Sequence, residues 1–240
     1  MRRLLRLVST FVGSAVLLVL LVLVLAVAIR LAQVRWFHEP PAPEREAEKA
    51  AYLARVAAEH GVEGRGAPSF VVVFFDDLGW GDLASYGNRL IETPRIDALA
   101  VRGARMTQFY SAAPVCAPSR AGLLTGRFPH RAGAAPHVFF PNDAPLGLAL
   151  RFFGFSNEIR RDEILLPEVL RAAGYATGMV GKWHLGDADG HRPNDLGFDS
   201  YYGVLWSNDM QPLHLYRDGE IEVRDETEMS WLHAMRNEED

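Results

Sequence analysis

Nineteen consecutive residues, Phe11 to Ile29 (FVGSAVLLVLLVLVLAVAI), carry no charged side chain. At 1.5 Å per helical residue this run reaches roughly 28 Å, close to the ~30 Å hydrocarbon core of a bilayer. It is apolar on every side, whereas a helix that covers the core of a soluble domain keeps a polar face. A cleavable export signal has a shorter apolar stretch, about 7–15 residues, although Ala26-Val27-Ala28 resembles the small-x-small pattern before a cleavage site. The expectation is an uncleaved N-terminal transmembrane helix, with cleavage and secretion as the other outcome. Arg2, Arg3 and Arg6 precede the run and Arg30 and Arg35 follow it, a slight bias toward a cytoplasmic N-terminus. The bulk of the chain is then membrane-anchored outside the cytoplasm, in a periplasmic, extracellular or lumenal space.

Charge and cysteine content narrow the remainder. The 240 residues hold 25 Lys+Arg against 30 Asp+Glu, and only Lys49 and Lys182 are lysines. Nucleic-acid binders need clustered cations to neutralise phosphate, so no nucleic-acid partner is expected. A hydrophobic share of 49% excludes disorder, and the single Cys116 excludes an internal disulfide.

Three segments follow from composition. Residues 1–30 form the anchor or signal segment. Residues 31–68 form a spacer: Pro40-Pro41-Ala42-Pro43 breaks the first helix, Glu44 to His60 (EREAEKAAYLARVAAEH) reads as an exposed, solvated helix, and Gly61 to Pro68 reads as a linker. Residues 69–240 form the folded part. Within it, Phe70 to Phe75 (FVVVFF) has the continuous apolar pattern of a central strand covered on both faces. Thr93-Pro94 starts a helix that Gly103 ends, Met106 to Tyr110 reads as a strand, Leu166 to Ala173 as a helix and Tyr175 to Val180 as a strand. Such alternation specifies an α/β fold, a sheet flanked by helices.

Three clusters carry candidate chemistry. Asp76-Asp77 stands where the first strand ends, the usual place for ligand sites in α/β sheets, and adjacent carboxylates suit a hard cation such as Ca²⁺ or Mg²⁺. A solvated strand end is the plainer reading. Cys116-Ala117-Pro118-Ser119-Arg120 places a thiol at a helix start, where free amides favour an anion, with Arg120 one turn on. An isolated Cys is usually a buried small hydrophobe, yet these neighbours are those of a reactive group. Gly181-Lys182-Trp183-His184 puts Lys182 and His184 two residues apart, on one face if the strand continues, suited to anion binding and proton transfer.

Together, Phe70 to Gly81, Thr93 to Tyr110, Cys116 to Arg127 (CAPSRAGLLTGR) and Ala172 to Gly186 (AAGYATGMVGKWHLG) resemble the N-terminal half of the type I, formylglycine-dependent sulfatases, arylsulfatase-like; Gly197-Phe198-Asp199 and Ser207-Asn208-Asp209 are also similar. The resemblance implies an alkaline-phosphatase-like sandwich with a central mixed sheet, incomplete here. It implies a sulfuric ester hydrolase that cleaves sulfate monoesters. Cys116 would be oxidised to formylglycine by a formylglycine-generating enzyme, and its hydrate would attack sulfur. Asp76 and Asp77, with the modified Cys116, match ligands of one Ca²⁺. Arg120 matches the residue steadying the hydrate, Lys182 the sulfate-binding lysine, and His184 a histidine at the hydrate or substrate oxygen. The partner molecule would be a small-molecule or glycan sulfate ester.

The family completes its metal site with a later Asp-Asn pair and adds another Lys and His, and this chain ends at Asp240 before such a segment; Asn194-Asp195 and Asn208-Asp209 lie too early to replace it. The expectation is therefore the N-terminal part of a longer domain. Two other readings stay open: a phosphomonoester or phosphonate hydrolase of the same superfamily, and a non-catalytic membrane-anchored relative. The segment Ala134 to Asp162 carries none of these motifs, and its phenylalanines (Phe139, Phe140, Phe152, Phe153, Phe155) could line a substrate pocket or equally be core, the commoner fate.

Overall fold

The computed structural model describes residues 2–36, 42–61, 66–134, 137–142 and 144–225. Helix α1 (Arg2–Trp36) contains the apolar run. Its segment Phe11–Gln33 is long and apolar enough to cross a membrane, and its most apolar window buries nothing against the rest of the chain. The Pro40-Pro41 break and residues 62–65 of the linker lie outside the described residues.

Helix α2 (Pro43–His60) begins with Pro at its first position, has Glu44 and Glu46 in its first turn and ends at His60, an order that suits the helix dipole. It is not the solvated spacer that its composition suggests. Lys49 Nζ lies 2.6 Å from Glu168 Oε1, and Arg45 lies 3.3 Å from Asp162 and 2.9 Å from Glu163. Arg127 meets the same Glu163 at 2.6 Å, and the Glu163 side chain is 1% exposed. Val56 is buried too. The helix carries the cations, and acids more than a hundred residues later supply the complement, a pairing that local sequence does not reveal. Glu163→Ala takes a partner from two guanidinium groups, but that of Arg45 keeps Asp162, and both, at 34% and 39% exposed, can rehydrate. The expected loss is thus about 2 kcal/mol, below that for a fully buried pair. Urea unfolding checks it, with a matching Arg45→Ala/Glu163→Ala cycle to isolate the coupling; an unchanged midpoint would mean that α2 is held by other contacts.

The helices that frame the site are short. α3 (Pro94–Arg102) starts and stops where expected, at Thr93-Pro94 and Gly103. The Thr93 hydroxyl does not cap it, but donates to Asp97 Oδ1 at 3.0 Å while accepting the Ala84 amide. α4 (Cys116–Thr125) ends on Gly126 at φ 64°, a left-handed terminator that glycine adopts without a Cβ penalty. α5 (Pro145–Phe152) and α6 (Leu166–Ala172) complete the set, and the Leu165 amide at the start of α6 donates to Glu168 Oε2 at 2.9 Å.

One mixed sheet is present among the described residues, in the order β1 (Gly178–Val180), β2 (Ser200–Val204), β3 (Leu215–Arg217), β4 (Glu220–Val223). β1 runs parallel to β2, with Met179 opposite Tyr201, and β2–β3 and β3–β4 are antiparallel. Asp218 and Gly219 join β3 to β4 with φ of 46° and 88°, as a two-residue hairpin with positive φ at both positions requires. Gly203 in β2 has to be glycine, because a Cβ there would strike the backbone of Gly181. The core gathers Ala117 and Ala121 of α4, Phe139, Ile159, Leu165, Trp183, Leu185, Tyr201 and Leu205.

Three expected strands differ. Phe70 to Phe75 forms no strand and pairs with none among the described residues, and Val71 and Val73 are 86% and 70% exposed. A ladder needs a neighbour to take its amides and carbonyls, and the apolar pattern of this segment, which asks for cover on both faces, finds no such cover here. Met106 to Tyr110 is irregular. Of Tyr175 to Val180, only the last three residues form β1.

Candidate active site

Asp76 follows the apolar Phe70–Phe75 segment and draws two distant cations to itself. Arg120 Nη2 lies 3.1 Å from Asp76 Oδ1, and Lys182 Nζ lies 2.6 Å from Asp76 Oδ2. Arg120 comes from α4, whose small residues Ala117 and Ala121 are fully buried and seat the helix against the core. Its guanidinium is nearly buried, also donates to the Lys182 carbonyl and lies 5.6 Å from the centre of the Phe74 ring. Lys182 follows β1 through Gly181, and its ammonium also donates to Ser207 Oγ at 2.9 Å. Burial raises the Asp76 pKa, but the hydrogen bonds and charges of Lys182 and Arg120 outweigh it and hold the carboxyl below the usual carboxylate range. The cluster is therefore an anion between two fixed cations, with net positive charge.

Cys116 is the first residue of α4, partly exposed, one turn before Arg120. No side chain caps this helix start, so its first amides have no side-chain partner there. Asp77 has a left-handed φ of 53° and makes no hydrogen bond or ion pair among the described residues. Carboxylate oxygens of this kind suit Ca²⁺, which takes six to eight oxygen ligands. Among the described residues, however, no group of three or more Asp, Glu, His or Cys is placed to hold an ion. The donor chemistry of Asp76 and Asp77 fits such a cation, and by themselves they would supply only part of a ligand set.

His184 departs from the expected strand alternation. The amides of Trp183 and His184 donate to the successive carbonyls of Val204 and Leu205, and His184 has φ 59°. Consecutive inward amides are incompatible with a regular strand, in which they alternate sides. His184 is fully buried, and its Nε2 lies 3.0 Å from the Phe139 carbonyl. A carbonyl can only accept, so Nε2 carries the proton and Nδ1 is left as a bare, buried acceptor with no partner among the described residues. Burial, then the charge of Lys182, pushes His184 down to about 4 despite the Phe139 hydrogen bond. It is neutral at pH 7, with its Nδ1 lone pair as the open acceptor.

The linkage is testable. Below pH 6.5 an unfolded His184 takes up a proton that the folded one refuses, so stability falls between pH 6.5 and 4, by about 3 kcal/mol in all. Glu158 acts in the opposite direction. Burial, opposed by the Asn142 hydrogen bond and aided by the charge of Asp187, raises it to about 7, so the folded state gains stability as pH falls from 7. Urea unfolding across this range should thus be flat for the native protein, should fall toward pH 4 for Glu158→Gln, and should lose that fall in Glu158→Gln/His184→Gln. An identical profile in both variants would remove His184 as the cause.

The structure joins Asp76, Arg120 and Lys182 directly and sets Cys116 on the Arg120 helix; it gives Asp77 no contact with them. Ser207 and Trp206 have no individual site role in the sequence reading, and Phe139 stands there only as a pocket or core side chain. Ser207 lies in the Ser207-Asn208-Asp209 motif and could have been found there, whereas Phe139 acts through its main-chain carbonyl, which leaves no side-chain signal. Trp206 packs edge-on to His184 at 6.0 Å and donates to Asp187 Oδ2 at 3.1 Å. Phe139 is core, while Phe153 and Phe155 are exposed, so the aromatic segment does not form one pocket.

Comparison with known proteins places this arrangement. The sulfatase family model matches residues 68–228. The chain is 44% identical to steryl-sulfatase of Rattus norvegicus over 147 residues, covering 59% of this chain and 24% of that protein. It is 41% identical to arylsulfatase A of Bos taurus over 166 residues, 68% of this chain and 30% of that protein. A crystal structure of a sulfatase from Pseudoalteromonas sp. superimposes with a TM-score of 0.51 at 34% identity, over 70% of this chain and 31% of that one. The chain thus spans between a quarter and a third of the length of these relatives. Its mixed sheet and flanking helices are those of the alkaline-phosphatase-like fold. With the family model covering about two thirds of its length, including every residue of the Asp76–Arg120–Lys182 cluster, the chain belongs to the sulfatase family.

Proposed function

We propose that this chain is the N-terminal part of a sulfuric ester hydrolase acting on sulfate monoesters through a formylglycine derived from Cys116. The observation that carries the reading is the convergence of Arg120 and Lys182 on one point beside a helix that begins at Cys116. Two fixed cations and the free amides of a helix start stabilise the negative charge that builds on a sulfuryl group in its transition state. Lys182, steadied by Ser207, binds the sulfate; Arg120, nearly buried and held by the Lys182 carbonyl, orients residue 116. His184 keeps its proton on Nε2, and its Nδ1 lone pair accepts from a hydroxyl brought to it.

Asp76, Asp77 and residue 116 would hold part of a Ca²⁺ site, and the bound cation would supply Lewis-acid charge to an oxygen ligand. Maturation then requires a formylglycine-generating enzyme. The substrate is a sulfated small molecule or glycan; the relatives' names, steryl and aryl, differ too widely to single out one ester. Residues 1–30 anchor the protein, 31–68 connect, and 69–240 belong to the catalytic domain, which lies outside the cytoplasm.

Mass spectrometry of the peptide spanning Cys116 tests this, on protein exported by a host that carries the modifying enzyme. An aldehyde in place of the thiol is expected. An unmodified thiol would overturn the covalent mechanism.

A further inference from the structure

Arg30 stands three residues before the end of the apolar segment Phe11–Gln33. Its Nε donates to the Phe152 carbonyl at 3.0 Å and its Nη2 to the Arg151 carbonyl at 3.4 Å. These are closing carbonyls of α5, that of Arg151 also accepting the Gly154 amide at 2.9 Å, and a cation at a helix C-terminus is favoured by the dipole. The contact fixes the level of what comes next. Phe153 and Gly154 form a turn with Gly154 at φ 89°, and a Cβ at Gly154 would lie 3.9 Å from Arg30 Nη2, so the turn sits directly against α1.

This turn is apolar and faces outward. Phe153 is 75% exposed, Phe155 44% and Leu146 of the same helix 41%. Three helical residues span about 4.5 Å, so Phe153 and Phe155, beside the Arg30 contact, stand near the end of the apolar span. The neighbouring α1 is itself exposed from Phe11 to Ile29. Apolar groups at this depth of a bilayer leave water for the boundary between headgroups and acyl chains.

We propose that Phe153 and Phe155 form a second membrane contact, seated in the lipid interface beside α1 and holding the sulfatase domain against the bilayer. This rests on the reading of α1 as a membrane anchor. Arg30 is the tie: it fixes the Phe152–Phe155 turn to the point where the helix leaves the membrane. The domain then has restricted tilt, and its site is presented at a set height above the lipid surface.

Spin-label accessibility tests this on the full chain in vesicles of phosphatidylcholine and phosphatidylglycerol. In a Cys116→Ala background, single nitroxides are placed by Leu18→Cys, Phe153→Cys, Phe155→Cys and Val180→Cys, the last at a site 83% exposed on the sheet edge. Collision with oxygen is expected to exceed collision with a water-soluble nickel chelate several-fold at 18, 153 and 155, with the order reversed at 180. Lipid accessibility at 18 but nickel accessibility at 153 and 155 would overturn the contact and leave the anchor standing. Shielding of 153 and 155 from both colliders, as a covering protein would give, would overturn it as well. Nickel accessibility at 18 would remove the anchor, and the contact with it.

Discussion

Cys116→Ala is expected to lower kcat on an aryl sulfate by on the order of 10⁴-fold or more, leaving KM within a few-fold. On the proposed mechanism, loss of the nucleophile removes a path that no neighbouring group can replace, whereas the substrate's ground-state contacts to Lys182 would remain. Because Cys116 is only partly buried at the first position of α4, the same change should alter stability little. Urea unfolding run beside the assay separates the two effects. Retention of most of the activity by a folded Cys116→Ala protein would exclude position 116 as the reacting group.

Lys182→Ala carries the second large effect, a loss of about 10²–10³-fold in kcat/KM. The ammonium makes two contacts, to Asp76 Oδ2 at 2.6 Å and to Ser207 Oγ at 2.9 Å. Both hold its charge in one place, so it needs no reorganisation as negative charge develops on the substrate. Lys182→Arg is expected to recover little, because a broad planar guanidinium cannot occupy the position of a compact ammonium between a carboxylate and a hydroxyl. Protection against unfolding by inorganic sulfate gives an independent reading: it should weaken in Lys182→Ala and persist in Cys116→Ala. A Lys182→Ala protein that keeps normal sulfate protection and loses activity only through a lowered urea midpoint would reduce this residue to a structural role.

The two anion-facing cations and their shared carboxylate were legible as residue types, since Asp76, Arg120 and Lys182 each stand in a recognisable motif. Their mutual contact was not legible, because Asp76 is 44 residues from Arg120 and 106 from Lys182. The same limit applies to α2. Its alternating Ala, Glu and Arg describe a soluble helix equally well whether it floats or docks, and the acids that hold it lie in another segment. The β3–β4 hairpin was missed despite its Asp218-Gly219 turn, a local signal that was available to be used. The reading of Phe70 to Phe75 erred differently: six apolar residues announce a preference for burial, but a strand exists only where a neighbour completes its hydrogen bonds.

What the sequence determined alone is whatever depends on neighbours within a turn or two. That includes the length of the apolar helix, the start of α4 at Cys116, the Pro and Gly limits of α3 and the family to which the motifs point. These are set by backbone sterics and by side chains three or four positions apart, which a linear reading contains. Only the tertiary structure decided that Asp76 is the meeting point of two cations. It alone made His184 a neutral acceptor held by the Phe139 carbonyl, docked α2 on its acids and tied Arg30 to the end of α5. Each of these depends on desolvation or on charges brought together across a hundred residues, and both come into being only when the chain has packed.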